Sequence, residues 1–355
     1  MDSVRQWSVR NCEPADEPGV SALFLSVFGR AVPEGYWRWK LRPFPVVAEN
    51  EWIAVVGKKV VGHYAVTPVR FKVNGLEIVV PHGCDAMTHP DFRRQGILTA
   101  LGQRANTVWE RSGAPFQLGF HYGGWGSVRE NLGWIPVARL TWLKRWLRPG
   151  ASLAGRMGLP DSIMTHFVDR TFNRVMPWLR HEPPDAHRSG SLQVESIPRA
   201  DSRFDLLWKK LSSEYEVLAV RDSQWLQWRF LDMPEAEHHV LMATRRDLPA
   251  GYLVFRVMRN GIISRASIVD WLVAPDDHVT AVALWNKAAD EAAKLGSSSL
   301  AALVPELSPF AQTLRRSGFW RGRHGYDFSI IPYGSPVSVW EGREWFVTGS
   351  EGDVI

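Results

Sequence analysis

The sequence predicts an α/β protein built from two tandem domains with the same order of elements, the second of which is degenerate. Three observations predict this. The 355 residues exceed the length of one ordinary domain and suit two. Stretches with period-two alternation of apolar residues are interspersed with stretches of helical spacing. Spacings between tryptophan, glycine, aspartate and proline residues recur in the two halves of the chain.

The internal repeat is defined by four spacings that are equal in both halves. They are Trp39 to Pro45 and Trp228 to Pro234 (6 residues), Trp39 to Gly62 and Trp228 to Gly251 (23), Asp85 to Pro90 and Asp270 to Pro275 (5), and Pro90 to Gly133 and Pro275 to Gly318 (43). An aromatic residue follows each closing glycine. The alternative of two unrelated α/β domains stays open at this point.

The elements of each half follow from local patterns. Residues 53–66 alternate with period two, as strands do, and helical spacing follows from Ile97 to Val108, with Gly113 ending the helix. A short strand is predicted over 116–120. In the second half, strands over 268–273 and 300–304 flank a helix over 279–295. We therefore predict one domain over 1–150, a helix and linker over 151–190 (helix 159–179, linker 181–190), and a second domain over 191–355.

Composition narrows the class of protein. The hydrophobic fraction of 45% and charged fraction of 22% are typical of a globular protein. With two cysteines, Cys12 and Cys84, a disulfide framework is not expected, and a cytoplasmic location fits. No apolar run predicts a signal peptide or a membrane span. The net charge of +5 suits an anionic small ligand, whereas the dispersed basic residues argue against a nucleic-acid partner.

The stretch from Asp85 to Thr99 carries the most chemical information. A strand is predicted to end at Thr88 and a helix to begin near Gly96. The first turn of a helix has N–H groups without intrahelical partners and the positive end of the dipole, so it binds phosphate. Arg93 and Arg94 add positive charge, and the glycine lets a ligand approach the backbone closely.

This stretch resembles the pyrophosphate-binding motif of the Gcn5-related N-acetyltransferase (GNAT) superfamily, Arg/Gln-x-x-Gly-x-Gly/Ala. Arg93 and Gly96 match it, and Leu98 replaces the last small residue. The run from Asp85 to Ile97 and the later Leu118-Gly119-Phe120 and Leu132-Gly133-Trp134 are similar to members linked with sugar and polysaccharide biosynthesis.

The resemblance implies a fold and a reaction. Each domain would be a mixed, mostly antiparallel sheet flanked by helices. The protein would transfer an acyl group from acetyl-CoA or another acyl-CoA to a small amine, such as a nucleotide-linked amino sugar, without a metal. No membrane partner is expected, and the oligomeric state is open. The residues expected at the acyl-CoA are Met87, Thr88, Arg93, Arg94, Gln95, Gly96, Ile97, Leu98, Thr99 and Ser127, the last of which could instead cap a helix.

Three residues are candidates for catalysis. Asp85 lies on the strand that flanks the thioester in this superfamily and could act as the base, directly or through a water. Its counterpart Asp270 lies in the half without the phosphate motif, so a purely structural role stays open. His121 is a second possible base, and Tyr122 a possible acid or acceptor contact. Arg129 stands where many members have the tyrosine that protonates the thiolate.

Two further interpretations follow from the residues. Asp276 and Asp277 put negative charge where phosphate would lie in the second half, so that half is not expected to bind CoA. A covalent mechanism through Cys84 is disfavoured because Cys84 and Asp85 are expected on opposite faces of a strand. The alternative to an enzyme is a non-catalytic acyl-CoA-binding or scaffold protein.

Overall fold

The computed structural model describes residues 6–41, 49–122, 126–157, 165–171, 174, 192–234, 236–260 and 263–352. The chain divides into two compact units whose segments interleave along the sequence. Unit 1 comprises Met1–Val137, Asp232–Glu235 and Asp327–Arg343, and unit 2 comprises Ala138–Leu231, Ala236–Tyr326 and Glu344–Ile355. The predicted linker 181–190 lies outside the described residues, as does most of the predicted helix 159–179, of which 165–171 are helical.

Strands and helices are mixed along the whole chain. The strands are β1 Ser8–Asn11, β2 Glu51–Val56, β3 Lys59–Val73, β4 Leu76–Thr88, β5 Phe116–His121, β6 Ile135–Trp146, β7 Leu192–Ile197, β8 Val217–Ala219, β9 His238–Arg245, β10 Leu248–Asn260, β11 Ile263–Val273, β12 Ser299–Pro305, β13 Trp320–Pro332 and β14 Trp345–Phe346. The helices are α1 Glu17–Phe28, α2 Tyr36–Leu41, α3 Ile97–Arg111, α4 Gly126–Leu132, α5 Pro149–Arg156, α6 Ser202–Leu211, α7 Ser223–Leu226, α8 His278–Lys294 and α9 Pro309–Arg316.

Unit 1 contains a sheet in the order β1-β2-β3-β4-β5, completed by residues 327–332 of β13. Neighbouring strands are antiparallel except for the parallel pair β4 and β5. Helices cover both faces, so β2 is a continuous apolar run, and the period-two alternation expected from residue 53 onward does not hold in this strand. Trp52 and Ala54 pack beneath α3, and Ile53 and Val55 pack with α1 and α2.

Helix α3 is held on the sheet by an apolar stripe at helical spacing. Ile97, Leu101, Ala105 and Trp109 are buried against β2 and β3. Burial of a side chain such as Ile97 or Leu101 stabilises the fold by about 1.5–3 kcal/mol. The stripe therefore fixes the position of the helix N-terminus relative to the end of β4.

Unit 2 has a second mixed sheet, in the order β6-β12-β11-β10-β9-β7. Only β11 and β12 are parallel among the described pairs of this sheet. Its core combines residues of the sheet with α6 and α8, including Phe204, Tyr252, Trp271 and Trp285. These findings confirm the predicted fold class, a mixed and mostly antiparallel sheet flanked by helices.

Candidate functional site

The candidate site of unit 1 begins where the described pairing of the parallel strands β4 and β5 ends. Their described register joins His82 to Leu118, and no later pair follows toward the ends of the two strands in the described residues. The register between β3 and β4 also shifts between His63 and Ala65. At that bulge Asp85 has a φ of 46°, in the left-handed region. A bulge bends its strand and re-aims its backbone groups. The ends of β4 and β5 beyond their last described pair are called the fork here.

The loop that follows β4 leads into an uncapped helix N-terminus. Arg94 and Gly96 have φ angles of 61° and 79°, and Gly96 is the N-cap of α3 with no side-chain cap. The N–H of Ala100 donates to the Gly96 carbonyl at 3.0 Å. The three preceding N–H groups of the first turn therefore have no intrahelical acceptor. Residues 93–96 are exposed, so an anion can reach these groups.

The predicted acyl-CoA ligands differ in how they are placed. Arg93, Arg94, Gln95 and Gly96 are exposed, Thr88, Leu98 and Thr99 are half-buried, and Met87 and Ile97 are buried. Arg93 Nε donates to the Thr88 carbonyl at 3.4 Å, which ties the loop to the end of β4. The side chains of Met87 and Ile97 belong to the core, so these two residues can offer only their backbone. Ser127 lies in α4, but its side chain is outside the described part of the structure.

The Asp85 carboxylate lies in a buried ion pair. Its Oδ2 is 2.7 Å from Lys40 Nζ, and the exposed fractions of the two side chains are 7% and 4%. The ammonium also donates to the Tyr36 hydroxyl at 3.2 Å. Lys40 comes from α2 and was not among the residues that the sequence pointed to. A lysine on a short Trp-rich helix gives no local signal that it pairs with a strand 45 residues further on.

The bulge also changes which residues of β4 share a face. Cys84 and Met87, three residues apart, belong to the same cluster with α1 and α2. Asp85 reaches Lys40 of α2, so Cys84 and Asp85 both face that side. Regular period-two alternation would have separated them. The extra residue of the bulge is the reason for the difference.

His121 and Tyr122 follow one another at the carboxyl end of β5. The His121 ring is buried and lies 4.5 Å from the Trp134 ring. Burial, together with the positive charge of Arg129, lowers the pKa of His121 to about 4, so the ring is neutral near pH 7. The Tyr122 side chain is 62% exposed. The two candidates therefore lie in different environments, one dry and one open to solvent.

Arg129 of α4 forms an ion pair with Asp327, whose Oδ2 lies 3.1 Å from the guanidinium. Asp327 is on the returning strand β13 and is the register partner of His121. This acid was not predicted, because it is 198 residues from Arg129 in the sequence. Arg129, at the position where the resemblance implied a tyrosine, is thus held in an ion pair.

Unit 2 has a similar pair of strands, but its helix N-terminus is capped by a side chain. Strands β11 and β12 are paired in parallel from Ala266 to Ile268. Asp277 caps α8 by accepting a hydrogen bond from the Thr280 N–H at 3.0 Å, and it also binds Arg245. A carboxylate thus occupies the position that a phosphate would take. That the second half does not bind CoA stays a prediction.

The space beside β11 in unit 2 is filled by the chain itself. The turn Gly349–Glu351 contacts both β11 and β12. Asp270, fully buried, accepts hydrogen bonds from Thr348 Oγ1 at 2.7 Å and Ser350 Oγ at 3.1 Å, and it pairs with Arg221. The counterpart of Asp85 is therefore a structural group inside a polar cluster.

Three further observations concern metals, membranes and disulfides. In the parts of the chain that the structure describes, no group of three or more His, Cys, Asp or Glu side chains is arranged to hold a metal ion. Among the described helices, none is long and apolar enough to cross a bilayer. Neither cysteine forms a disulfide.

Comparison with known proteins agrees with this geometry. Residues 8–135 match the family model described as an acetyltransferase (GNAT) domain. No curated protein sequence matches the chain. Among solved structures, a GCN5-related N-acetyltransferase from Anabaena variabilis has a TM-score of 0.64 at 12% identity, covering 91% of this chain and 72% of its own. Saccharomyces cerevisiae N-myristoyltransferase with bound myristoyl-CoA has a TM-score of 0.61 at 12% identity, covering 94% and 85%.

A conserved Enterococcus faecalis protein of unknown function has a TM-score of 0.63 at 9% identity, covering 92% of this chain and 73% of its own. Identities this low establish similarity of fold alone. The chain therefore contains a region, residues 8–135, that matches the acetyltransferase (GNAT) domain, and its fold is similar to those of solved GNAT and N-myristoyltransferase structures.

Proposed function

We propose that the protein is an acyl-CoA-dependent N-acyltransferase whose donor site lies in unit 1. The observation that carries the proposal is the fork between β4 and β5 beside the uncapped N-terminus of α3. The acyl-pantetheine arm that carries the thioester needs a narrow groove for an extended chain, and the pyrophosphate needs N–H donors that have no intrahelical acceptor. The match of residues 8–135 to the acetyltransferase domain supports the same function.

In this proposal the pyrophosphate of the donor binds at residues 93–99. The N–H groups at the start of α3 donate to the phosphate oxygens, and Arg93 and Arg94 neutralise the charge. Gly96 suits close approach because no atom lies within 4 Å of a Cβ built there. Thr99 offers a hydroxyl from the first turn. The acyl-pantetheine arm then extends along β4 into the fork, with Ser127 as a further contact.

The reaction is a direct attack of a neutral amine on the thioester carbonyl. The C–N bond forms, and the oxyanion accepts a hydrogen bond from a backbone N–H at the β4 bulge. When the C–S bond breaks, the thiolate takes a proton. We assign the base to Asp85, directly or through a water, with His121 as the alternative, and the acid to Tyr122. The exposed Tyr122 hydroxyl supports that last assignment.

The acceptor class rests on the resemblance to sugar-linked members of the superfamily. We propose a small amine, with a nucleotide-linked amino sugar as the specific candidate.

We further propose that unit 2 is a degenerate copy that does not bind CoA, in line with the Asp277 cap of α8. A cytoplasmic location is consistent with the two free cysteines.

The proposal is tested by calorimetry of acetyl-CoA binding to the wild type, Arg93→Glu and Arg104→Glu. Arg104 is a matched control, since it is a 55%-exposed arginine of the same helix, away from its N-terminus. We expect binding to the wild type and the control, and a loss of roughly a hundredfold or more for Arg93→Glu, which reverses a charge at the phosphate. Absence of wild-type binding would refute the donor site.

The second candidate function is a non-catalytic acyl-CoA-binding protein. Two observations favour it: the Arg129–Asp327 pair replaces the usual tyrosine, and the Asp85 carboxylate already pairs with Lys40. Both candidates predict acetyl-CoA binding. A panel of amines that includes nucleotide amino sugars separates them, because only the enzyme consumes acetyl-CoA with an amine and releases free thiol.

A further inference from the structure

We propose that Glu51 and His63 form a positioning pair that holds the β4 bulge in its active geometry through the Asp85 carbonyl. The inference rests on the proposed function, because the pair would hold in place the backbone whose N–H donates a hydrogen bond to the oxyanion. It concerns Glu51 of β2, which is largely buried, and His63 of β3, which is fully buried. The proposed reaction does not otherwise use them.

The first step of the argument is the contact at the bulge. His63 Nδ1 lies 2.8 Å from the Asp85 carbonyl oxygen. At a bulge the backbone ladder is locally disrupted, and here an imidazole supplies a hydrogen bond to the bulged residue. Asp85 has a φ of 46°, which costs a non-glycine residue on the order of 1 kcal/mol or more unless its surroundings hold it. The imidazole is thus one of the groups that keep this conformation.

The second step is the other side of the same ring. His63 Nε2 lies 3.2 Å from Glu51 Oε1. The His63 side chain is fully buried, and Glu51 is 14% exposed. The indole of Trp37 packs on the imidazole, with ring centroids 5.7 Å apart. The ring is therefore fixed on both nitrogens and on one face.

The third step is a count of protons. A carbonyl oxygen only accepts, so His63 Nδ1 must carry a hydrogen. A carboxylate also only accepts, so the contact between Nε2 and Glu51 needs a further proton on one of the two atoms. The pair thus shares one proton in addition to the Nδ1 hydrogen. Loss of that proton would set a lone pair of the ring against a carboxylate and push the ring away from its place.

Several charged and titratable groups surround this shared proton. Lys40 of α2 and Asp85 of β4 form a neutral pair on the His63 side. On the Glu51 side a small cavity is lined by polar groups from the chain before α1, from α1 and from the loop and start of α2: Cys12, Glu13, Glu17 and Arg38. The proton lies among these groups without direct access to bulk water on the His63 side.

A conservative substitution removes the shared proton and keeps the packing around the His63 ring. In Glu51→Gln the amide nitrogen can donate to His63 Nε2 with no shared proton, so the ring keeps its Nδ1–H and its bond to Asp85. Glu51→Ala removes the support altogether. Glu49→Gln is the matched control, since Glu49 is 48% exposed and its only described ion pair, with Arg104, is 4.0 Å long.

The primary test observes the His63 ring nitrogens by ¹⁵N NMR of the full-length protein at roughly pH 7. In the wild type and in Glu49→Gln we expect Nδ1 to carry a hydrogen and Nε2 to share a proton with Glu51. In Glu51→Gln we expect Nδ1 to carry a hydrogen and Nε2 to carry none. An Nδ1 without a hydrogen in the wild type, or the same Nε2 signal in Glu51→Gln as in Glu49→Gln, would overturn the pair.

The second test uses turnover. Glu51→Gln and Glu49→Gln should both keep kcat within about threefold of the wild type, because the amide of Glu51→Gln still holds the His63 ring in place. Glu51→Ala should lower kcat about tenfold or more with acetyl-CoA affinity within about threefold of wild type. A wild-type kcat in Glu51→Ala, or a kcat in Glu51→Gln as low as in Glu51→Ala, would refute the positioning role. If no amine is acylated, the proposed function fails instead, and the NMR experiment still decides whether the pair exists.

Discussion

Gly62 of β3 lies directly beneath Ile97, the first residue of α3. A Cβ atom built on Gly62 would lie 2.4 Å from Ile97 Cγ2 and 3.1 Å from Ala54 Cβ. No side chain fits at this position without moving the helix. The close approach places residues 93–96, the proposed phosphate loop, beside the end of β4, because Gly62 is also the register partner of Thr88.

The first prediction concerns this contact. Gly62→Ala should destabilise the protein by about 1–3 kcal/mol, the usual range for overpacking a core. It should also weaken acetyl-CoA binding roughly tenfold by displacing the start of α3. Chemical denaturation and calorimetry measure the two effects.

Gly251→Ala is the matched control for that prediction. A Cβ at Gly251 would lie 2.5 Å from Val273 Cγ1 and 3.1 Å from Thr280 Cγ2, so the same overpacking arises in unit 2. We expect a similar loss of stability with unchanged acetyl-CoA affinity. Equal weakening of binding by both variants would contradict a donor site confined to unit 1.

The second prediction uses the two left-handed glycines at the ends of α3. Gly96 and Gly113 have φ angles of 79° and 84°, and a Cβ at either meets no atom within 4 Å. Alanine at each should therefore cost about 1 kcal/mol of stability through backbone strain alone. Only Gly96→Ala should also weaken acetyl-CoA binding, because its methyl group would project where the phosphate lies. Calorimetry showing equal affinities would argue against phosphate at this end of the helix.

The third prediction separates two roles of Asp85. Asp85→Asn leaves the buried Lys40 ammonium without its carboxylate and should cost about 3–5 kcal/mol. The double variant Lys40→Met/Asp85→Asn removes the unpaired charge and should recover most of that stability. If Asp85 is the base, the double variant stays inactive. Recovery of both stability and turnover would show that Asp85 only pairs with Lys40, and the role of base would pass to His121.

The fourth prediction is a loss of stability in acid. Burial and the charge of Arg129 lower the pKa of His121 from 6.5 to about 4 in the folded protein. Between these values the unfolded chain binds more protons than the folded one, so stability falls as pH drops from about 6.5 to about 4. The loss attributable to this residue is at most about 3 kcal/mol. His121→Asn should flatten this part of the stability curve.

His238 of unit 2 provides a comparison for that measurement. Burial lowers its pKa to about 3, with added effects of Arg229 and Arg256. His238→Asn should reduce the loss of folding stability in acid, over a pH range that extends lower than that of His121. Urea denaturation at a series of pH values measures how stability depends on pH in both variants. An unchanged dependence in either variant would contradict burial as the cause of the lowered histidine pKa.

The phosphate loop was predictable from sequence because its chemistry is local. Arg93, Gly96 and the helix from Ile97 are consecutive, and an uncapped helix N-terminus needs only its own first turn to bind an anion. The strands within 53–66, 116–120, 268–273 and 300–304 and the helices near 97–108 and 279–295 were predicted for the same reason, since an apolar pattern is read within a single element. The Asp277 cap of α8 is likewise local, because Asp277 accepts its hydrogen bond from the N–H of Thr280, three residues further on.

The environment of the catalytic candidates was decided by the tertiary structure alone. Asp85 meets Lys40 from a different helix, and Arg129 meets Asp327 from a strand that returns to unit 1 near the end of the chain. A β-bulge adds one residue without a distinctive sequence, so alternation along β4 could not place Cys84 and Asp85 on their observed side. The sequence by itself determined the loop and helix start at which we propose that a phosphate binds, because that segment is made by neighbours in the chain. Only the tertiary structure determined which charges surround the reacting groups, because those partners are distant in sequence and meet only after the sheet has formed.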